Sequence, residues 1–157
     1  MQRRTLLHAT AALIGTTLVA PFAAFAASKP LLEVWKTASC GCCHDWIKHI
    51  QANGFEVKTH DISDAAKDKL RNQLGLMDRF GSCHTGFING YVVEGHVPAK
   101  DLQRLLKERP KALGLAVPGM PVGSPGMDGP EYGGRKDPYS VLLVQRDGGS
   151  TVFHAYP

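Results

Sequence analysis

The sequence of 157 residues predicts an α/β fold in which helices flank a central mixed sheet. Runs rich in apolar and β-branched residues alternate with segments of helical periodicity, in the order β-α-β-α-β-β-α. A Cys-x-x-Cys sequence, Cys40 to Cys43, stands where the first strand passes into the first helix. A long segment rich in Gly, Pro and Met then precedes a C-terminal β-hairpin. A chain of this length is expected to form one domain.

The first strand and the first helix meet at the cysteines. Residues 31–37, with the sequence LLEVWKT, favour a strand, and the small residues Ala38 and Ser39 follow it. Cys40 then opens a helix that is expected to run to Asn53, with Gly54 as its stop.

A second strand and a second helix follow. Residues 55–62 have the composition of an extended segment. Ser63 is a favoured N-cap residue for a helix that reaches about Leu74, and Gly75 ends that helix.

The next segment contains a hairpin and a third helix. The dipeptide Asn89-Gly90 separates residues 84–88 from residues 91–94, and it is the strongest short hairpin signal in the chain. Pro98 begins a helix that continues to Glu108, since proline is well suited to the first helical turn.

The C-terminal third combines a loop and a closing hairpin. Residues 113–137 contain too many Gly and Pro residues for a regular element and predict a long loop. Loops of this length in compact domains are usually functional or disordered, and we expect this one to cover the cysteines. Residues 139–146 and 151–156, joined by residues 147–150, predict the hairpin.

Composition and charge exclude several classes of protein. A hydrophobic content of 43% with a net charge of only +4 excludes a disordered chain. The same small charge excludes nucleic acid as a partner. Four cysteines in 157 residues are too few for a scaffold held by disulfides alone, so they are available for another role.

The first 26 residues have the pattern of a cleavable signal peptide. Arg3-Arg4 precedes a mainly apolar run, residues 6–19, and Ala24-Phe25-Ala26 has the small residues of a cleavage site. The mature domain would comprise residues 27–157, with no stable membrane insertion and a periplasmic location in a Gram-negative organism. The arginine pair also resembles a twin-arginine signal, so the export route stays open.

The cysteines are concentrated at one place in the chain. Cys40, Cys42 and Cys43 lie within four residues at a helix start, and Cys83 precedes the third strand. One structural disulfide cannot account for all of them. Because a bond between the neighbours Cys42 and Cys43 is geometrically disfavoured, Cys40 and Cys43 are the favoured redox pair. The helix N-terminus also favours a thiolate over a thiol.

The element order and the position of the Cys-x-x-Cys sequence resemble the thioredoxin fold. The resemblance implies that Ser82-Cys83-His84 faces the other cysteines across the site, so that all four sulfur atoms converge. A thioredoxin-like oxidoreductase usually has a cis-proline there, whereas this chain has Cys83 and His84. The difference favours metal ligation over disulfide exchange.

Three functions are consistent with the cysteines at this point. They are a copper–thiolate site, a thioredoxin-like thiol-disulfide oxidoreductase acting on protein disulfides, and structural disulfides or zinc. Grouped thiolates without a carboxylate partner select Cu(I) or Zn(II), and we favour copper in a periplasmic protein. Bridging thiolates would allow more than one Cu(I) ion to bind.

Four histidines need an interpretation. His44 and His84 each follow a cysteine directly and are candidate metal ligands. His96 either lies near the site or closes a turn. His49 is expected to pair with Asp45 on the outer face of the first helix.

Two methionines lie in the long loop, within residues 119–127. Met120 and Met127 carry soft thioethers that bind Cu(I), so both are candidate ligands. The alternative is that both side chains only pin the loop to the core.

In combination, the motifs resemble a family of small exported CopG-type proteins associated with copper-resistance loci. The matching segments are Cys40-Gly41-Cys42-Cys43 with Trp46 and His49, Ser82-Cys83-His84-Thr85, residues 90–98, and residues 118–127. The resemblance implies a thioredoxin-like fold, a periplasmic location and copper binding by the clustered cysteines. It extends less firmly to His44, His84 and the methionines. It also implies a role in copper redox handling. Buffering of copper is the alternative that we consider beside it, and a periplasmic copper-handling protein or an electron donor is the expected partner.

Overall fold

The computed structural model describes residues 28–157, and the predicted signal peptide, residues 1–26, lies outside the described residues. The predicted order β-α-β-α-β-β-α is confirmed by β1 (Leu31–Lys36), α1 (Gly41–Ala52), β2 (Glu56–Asp61), α2 (Asp64–Leu74), β3 (His84–Ile88), β4 (Tyr91–Glu94) and α3 (Ala99–Glu108). The strands β5 (Gly114–Ala116), β6 (Tyr139–Val144) and β7 (Ser150–Tyr156) follow, and single 3-10 turns lie at Asp78–Phe80 and Pro130–Tyr132.

The strands form one mixed sheet of seven strands in the order β2-β1-β3-β4-β5-β6-β7. β1 pairs in parallel with β2, and β4 pairs in parallel with β5. The other neighbouring strands pair antiparallel. The predicted mixed sheet with flanking helices is therefore confirmed, and the C-terminal hairpin of β6 and β7 joins that sheet through β5.

β5 corrects the prediction that residues 113–137 form one long loop. The strand is buried, and it pairs with β4 on one side and with β6 on the other. A Cβ atom at Gly114 would overlap the carbonyl oxygen of Val92, so glycine is what allows β5 to approach β4. Three residues are too few to show strand periodicity, which explains why the pattern misses this element.

Apolar side chains cover both faces of the sheet. Val92 and Val93 are neighbours in β4 but belong to different hydrophobic clusters, because successive strand residues point to opposite faces. Helices α1 and α3 bury Trp46 and Leu102 in the larger cluster. The segment after α2 buries Phe80 in the smaller one. The two clusters therefore bury opposite faces of the sheet.

Candidate metal centre

The antiparallel pairing of β1 and β3 brings two cysteine-containing segments together. Lys36, at the end of β1, pairs with His84, at the start of β3. The turn after β1 leads to Cys40, and Cys83 directly precedes β3. Both segments therefore lie at the same end of these strands.

Cys40 and Cys43 are joined by a disulfide bond, which is the pair that the sequence favours. Cys40 is the N-cap residue of α1, and Cys43 is buried in its first turn. Within the described part of the chain, no side chain caps this helix start. The free first-turn N–H groups and the helix dipole favour negative charge on the nearby sulfur atoms.

The two free cysteines, Cys42 and Cys83, complete a compact group of four sulfur atoms. All four lie within 4.8 Å of one another. The Sγ atom of Cys42 is 3.6 Å from that of Cys40 and 3.9 Å from that of Cys83. The expected convergence of the sulfur atoms is present, and the group is able to hold a metal ion.

A second group of donors shares Cys83 with the first. Cys83, His84 and His96 present ligand atoms within 4.8 Å of one another. The Cys83 Sγ atom lies 3.0 Å from Nε2 of His96 and 3.3 Å from Nδ1 of His84. His96 donates its Nδ1–H to the carbonyl oxygen of Pro125 over 2.8 Å. In the neutral ring this leaves the Nε2 lone pair directed at the sulfur atom.

The imidazole of His84 has an unused nitrogen in the protein interior. The side chain is fully buried, and its ring lies 4.1 Å from the ring of Trp46. Among the described residues, Nε2 of His84 is the one buried side-chain nitrogen or oxygen atom without a hydrogen-bond partner. Leaving such an atom unpaired costs free energy, while the other ring nitrogen, Nδ1, lies beside Cys83. The donor set of four sulfurs and two imidazoles therefore fits a soft metal ion.

Burial sets the protonation of these donors in the metal-free protein. Burial lowers the pKa of His84 well below its usual range, and nearby His96 lowers it further. Burial also lowers the pKa of His96. Both rings are therefore neutral and able to bind a metal. Burial, together with the neighbouring Cys42, raises the pKa of the Cys83 thiol to about 12, so metal binding must displace a proton from it.

A buried carboxylate fixes the segment that carries Cys83. Glu94 accepts hydrogen bonds from the Ser82 backbone N–H at 2.7 Å, from Arg71 Nε at 2.9 Å and from the Thr85 hydroxyl at 2.6 Å. Burial raises the pKa of Glu94, and these three donors oppose that rise. One side chain thereby contacts residues on both sides of Cys83.

The long loop covers the start of α1, as expected. A Cβ atom at Gly126 would lie 2.6 Å from the carbonyl oxygen of Cys42 and 2.7 Å from the backbone nitrogen of Trp46. The next loop residue, Met127, is buried, and its sulfur accepts a hydrogen bond from the Tyr132 hydroxyl at 3.3 Å. Met120 is instead 51% exposed. The loop therefore lies directly on the backbone of the cysteine turn.

Two expectations about histidines on α1 need correction. His44 is exposed and belongs to neither donor group among the described residues, because the residue after buried Cys43 turns away on the helix. His49 does not pair with Asp45. Its Nε2 accepts the backbone N–H of Ala99 at 3.1 Å, while Asp45 pairs with Lys48.

His96 is the donor that the sequence places least clearly. The predicted hairpin of β3 and β4 indicates where His96 lies. Its two-residue turn sets a register in which Thr85 pairs with Glu94. Extending that register by two residues sets Cys83 opposite His96. The position of the second imidazole could therefore be found from the Asn89-Gly90 turn alone.

Comparisons with known proteins point to copper. A family model described as a protein of unknown function, DUF411, matches residues 80–127. Two solved structures of a copper resistance protein CopG, Form 1 and Form 2, are each 48% identical to this chain, with TM-scores of 0.74 and 0.75. Each match covers 82% of this chain, together with 98% of the Form 1 chain and 99% of the Form 2 chain. No curated protein matches. Within residues 28–157, no helix is long and apolar enough to cross a membrane.

Proposed function

Because this chain belongs to the CopG family of copper resistance proteins, we propose that it is a periplasmic protein that holds Cu(I) and either interconverts Cu(II) and Cu(I) or buffers copper for a partner. The observation that carries the proposal is the convergence of four sulfur atoms within 4.8 Å. Thiolate ligands select Cu(I) because both partners are soft. Sulfur atoms this close can also bridge ions, so the proposed centre can hold more than one Cu(I).

The proposed ligands are Cys40, Cys42, Cys43 and Cys83 after reduction of the disulfide, assisted by the two imidazoles. His84 brings its Nδ1 atom, 3.3 Å from the Cys83 Sγ atom, and His96 brings a lone pair already directed at Cys83. His44 is not part of this set because its side chain is exposed.

The methionines have different proposed roles. Met127 is buried next to Gly126, which contacts the cysteine turn, and it can bind Cu(I) once its sulfur leaves the Tyr132 hydroxyl. Met120 follows Gly119, whose carbonyl oxygen accepts the Ser82 hydroxyl, and its exposed thioether is suited to receive incoming copper.

The disulfide supplies the redox chemistry. Two thiolates, Cys40 and Cys43, give up two electrons as the S–S bond forms, and two Cu(II) ions take one electron each to become Cu(I). The reverse reaction breaks the S–S bond and returns two Cu(II) ions. While the disulfide is present, Cys42, Cys83 and the two imidazoles remain to hold Cu(I), and all four cysteines bind it only in the reduced protein. A periplasmic electron donor or copper-handling protein would set the direction. We further propose that residues 1–26 direct export and are then removed.

A thiol-disulfide oxidoreductase acting on proteins is the second candidate. The disulfide at the start of α1 favours it, since thiols at a helix N-terminus are activated for exchange. The position of Cys83, in contact distance of Cys42, argues for ligation instead. A structural metal is the third alternative, and it requires that metal removal unfold the domain.

The test is an anaerobic Cu(I) titration of the reduced, metal-free protein and of Cys83→Ser, with a competing chelator. We expect at least one Cu(I) to survive the chelator and expect Cys83→Ser to weaken it by about tenfold or more, as loss of a ligand should. Binding that is indifferent to Cys83, together with reduction of protein disulfides, would instead establish the oxidoreductase. The matched control is Ser39→Ala, which changes an exposed residue beside the same turn.

A further inference from the structure

Helix α2 places two cations under the segment that carries Cys83. Lys67 is 5% exposed and Arg71 is 8% exposed. Lys67 donates to the carbonyl oxygen of Cys83 at 3.0 Å, and Arg71 donates to the carbonyl oxygen of Ser82. Buried charges are costly unless partners compensate them, so each cation needs an explanation.

The buried charge of Arg71 is compensated by carboxylates within the protein. Its Nε lies 2.9 Å from the carboxylate of Glu94, which is fully buried. A second ion pair joins it to Asp68 at 2.7 Å. One buried cation and one buried anion therefore balance.

Lys67 is not balanced in the same way. Its one carboxylate partner among the described residues, Asp64 at 2.8 Å, is 77% exposed. Water screens an exposed carboxylate, so the positive charge is poorly compensated on the buried side. That side is the metal centre, since the Lys67 ammonium lies 3.0 Å from the carbonyl oxygen of Cys83, the cysteine shared by both donor groups.

We propose that Lys67 is a specificity-determining residue, whose buried charge makes the cysteine and histidine centre prefer monovalent Cu(I) over divalent ions such as Zn²⁺. The inference rests on the proposed function of that centre. A fixed positive charge repels a divalent ion twice as strongly as a monovalent one at the same position. When both ions bind the same thiolates they displace the same protons, and that cost cancels when the two affinities are compared.

A structural role for Lys67 makes a different prediction. If the ammonium only holds the carbonyl oxygen of Cys83, its loss disturbs the thiol position for every metal. Affinities for Cu(I) and Zn²⁺ would then fall together. The ratio of the two affinities separates selection by charge from positioning.

The experiment measures Cu(I) and Zn²⁺ affinities of the reduced, metal-free protein by chelator competition, at one equivalent of metal. Lys67→Gln removes the charge but keeps an N–H donor for Cys83, and Lys67→Met is a second neutral variant. Lys67→Arg keeps the charge. Lys69→Met removes an exposed lysine from the same helix as the matched control.

We expect either neutral variant to shift the affinity ratio toward Zn²⁺ by about tenfold or more, as expected for an added or removed buried charge. Lys67→Arg and Lys69→Met should keep the wild-type ratio. The same charge separates the two oxidation states of copper. A tenfold fall in the ratio of Cu(I) to Cu(II) affinity in a neutral variant lowers the one-electron potential of the bound copper by about 59 mV.

Three results overturn the proposal. An unchanged ratio in both neutral variants, with Cu(I) still bound, makes Lys67 a purely structural residue and leaves the copper function intact. A ratio that shifts equally in Lys69→Met shows that general surface charge is responsible. Failure of the wild-type protein to retain Cu(I) overturns this inference and the proposed function together.

Discussion

The Nε2 atom of His96 lies 3.0 Å from the Sγ atom of Cys83. The Sγ atom of Cys42, the other free cysteine, is farther from the same sulfur, at 3.9 Å. The opposite ring nitrogen of His96 donates to the carbonyl oxygen of Pro125. The long loop therefore fixes the tautomer of a histidine whose free lone pair faces a thiol. An ion bound to Cys83 meets an imidazole that needs no reorientation.

His96→Asn tests this relationship. The amide can still donate to Pro125, but the nitrogen that faces Cys83 is lost. We expect Cu(I) affinity to fall by about tenfold or more, because one ligand of a preorganised set is missing. Chelator competition on the reduced protein measures the change.

His44→Asn is the matched control, since His44 is exposed and outside both donor groups. It should leave Cu(I) affinity unchanged. Equal losses in the two variants would show that His96 has no special position.

The sequence predicts the elements that local patterns encode. Ser63 caps α2 through its hydroxyl, which accepts the N–H of Ala66 at 3.2 Å. The Asn89-Gly90 turn sets the hairpin of β3 and β4 in the register expected for a two-residue turn. The cysteine pair is likewise local, because Cys40 and Cys43 are one helical turn apart.

What the sequence cannot show depends on distant contacts. β5 is a strand only because Gly114 can approach Val92. His49 has a nearby acidic residue but accepts an N–H from α3 instead. Lys67 belongs to a largely polar helix, and nothing local indicates that it is buried against Cys83. Direction and burial of polar side chains are tertiary properties, so spacing alone does not determine them.

Leu102→Ala should destabilise the domain without a specific effect on copper. Leu102 is fully buried in the larger hydrophobic cluster. Removing its side chain loses apolar burial and leaves a cavity, at a cost of about 2–5 kcal/mol. Urea unfolding of the metal-free protein should show a lower midpoint with an unchanged slope. Leu31→Ala, at a position that is 42% exposed, should cost far less. Similar losses in both variants would contradict the described core.

His49→Gln should reduce the loss of stability on acidification. Burial lowers the pKa of His49 below its usual value of 6.5. The unfolded chain therefore binds more protons than the folded one just below pH 6.5, so stability rises with pH through this range and is lost as pH falls. Protonation also removes the Nε2 lone pair that accepts the Ala99 N–H.

Urea unfolding of metal-free protein at pH 7.5 and about 5.5 measures the difference, since that interval includes the ordinary histidine range. The glutamine carbonyl can still accept from Ala99 but does not titrate, so the variant should lose less stability than wild type. Identical losses would mean that His49 makes no contribution to the pH dependence.

Gly126→Ala should move the long loop away from the cysteines. The added Cβ atom would lie 2.6 Å from the carbonyl oxygen of Cys42 and 2.7 Å from the backbone nitrogen of Trp46. Both atoms belong to the backbone of α1 and cannot yield, so the loop must lift. We expect maleimide to modify Cys42 and Cys83 faster than in wild type, as mass spectrometry of the metal-free protein would show.

Gly119→Ala separates this contact from backbone strain. Gly119 has φ +69° and Gly126 has φ +83°, so alanine is strained at both positions. A Cβ atom at Gly119 meets no described atom within 4 Å. Thiol modification should therefore stay at the wild-type rate in Gly119→Ala. Equal acceleration in the two variants would mean that backbone strain anywhere in the loop exposes the thiols. The contact of Gly126 with α1 would then not be what keeps the loop over the cysteines.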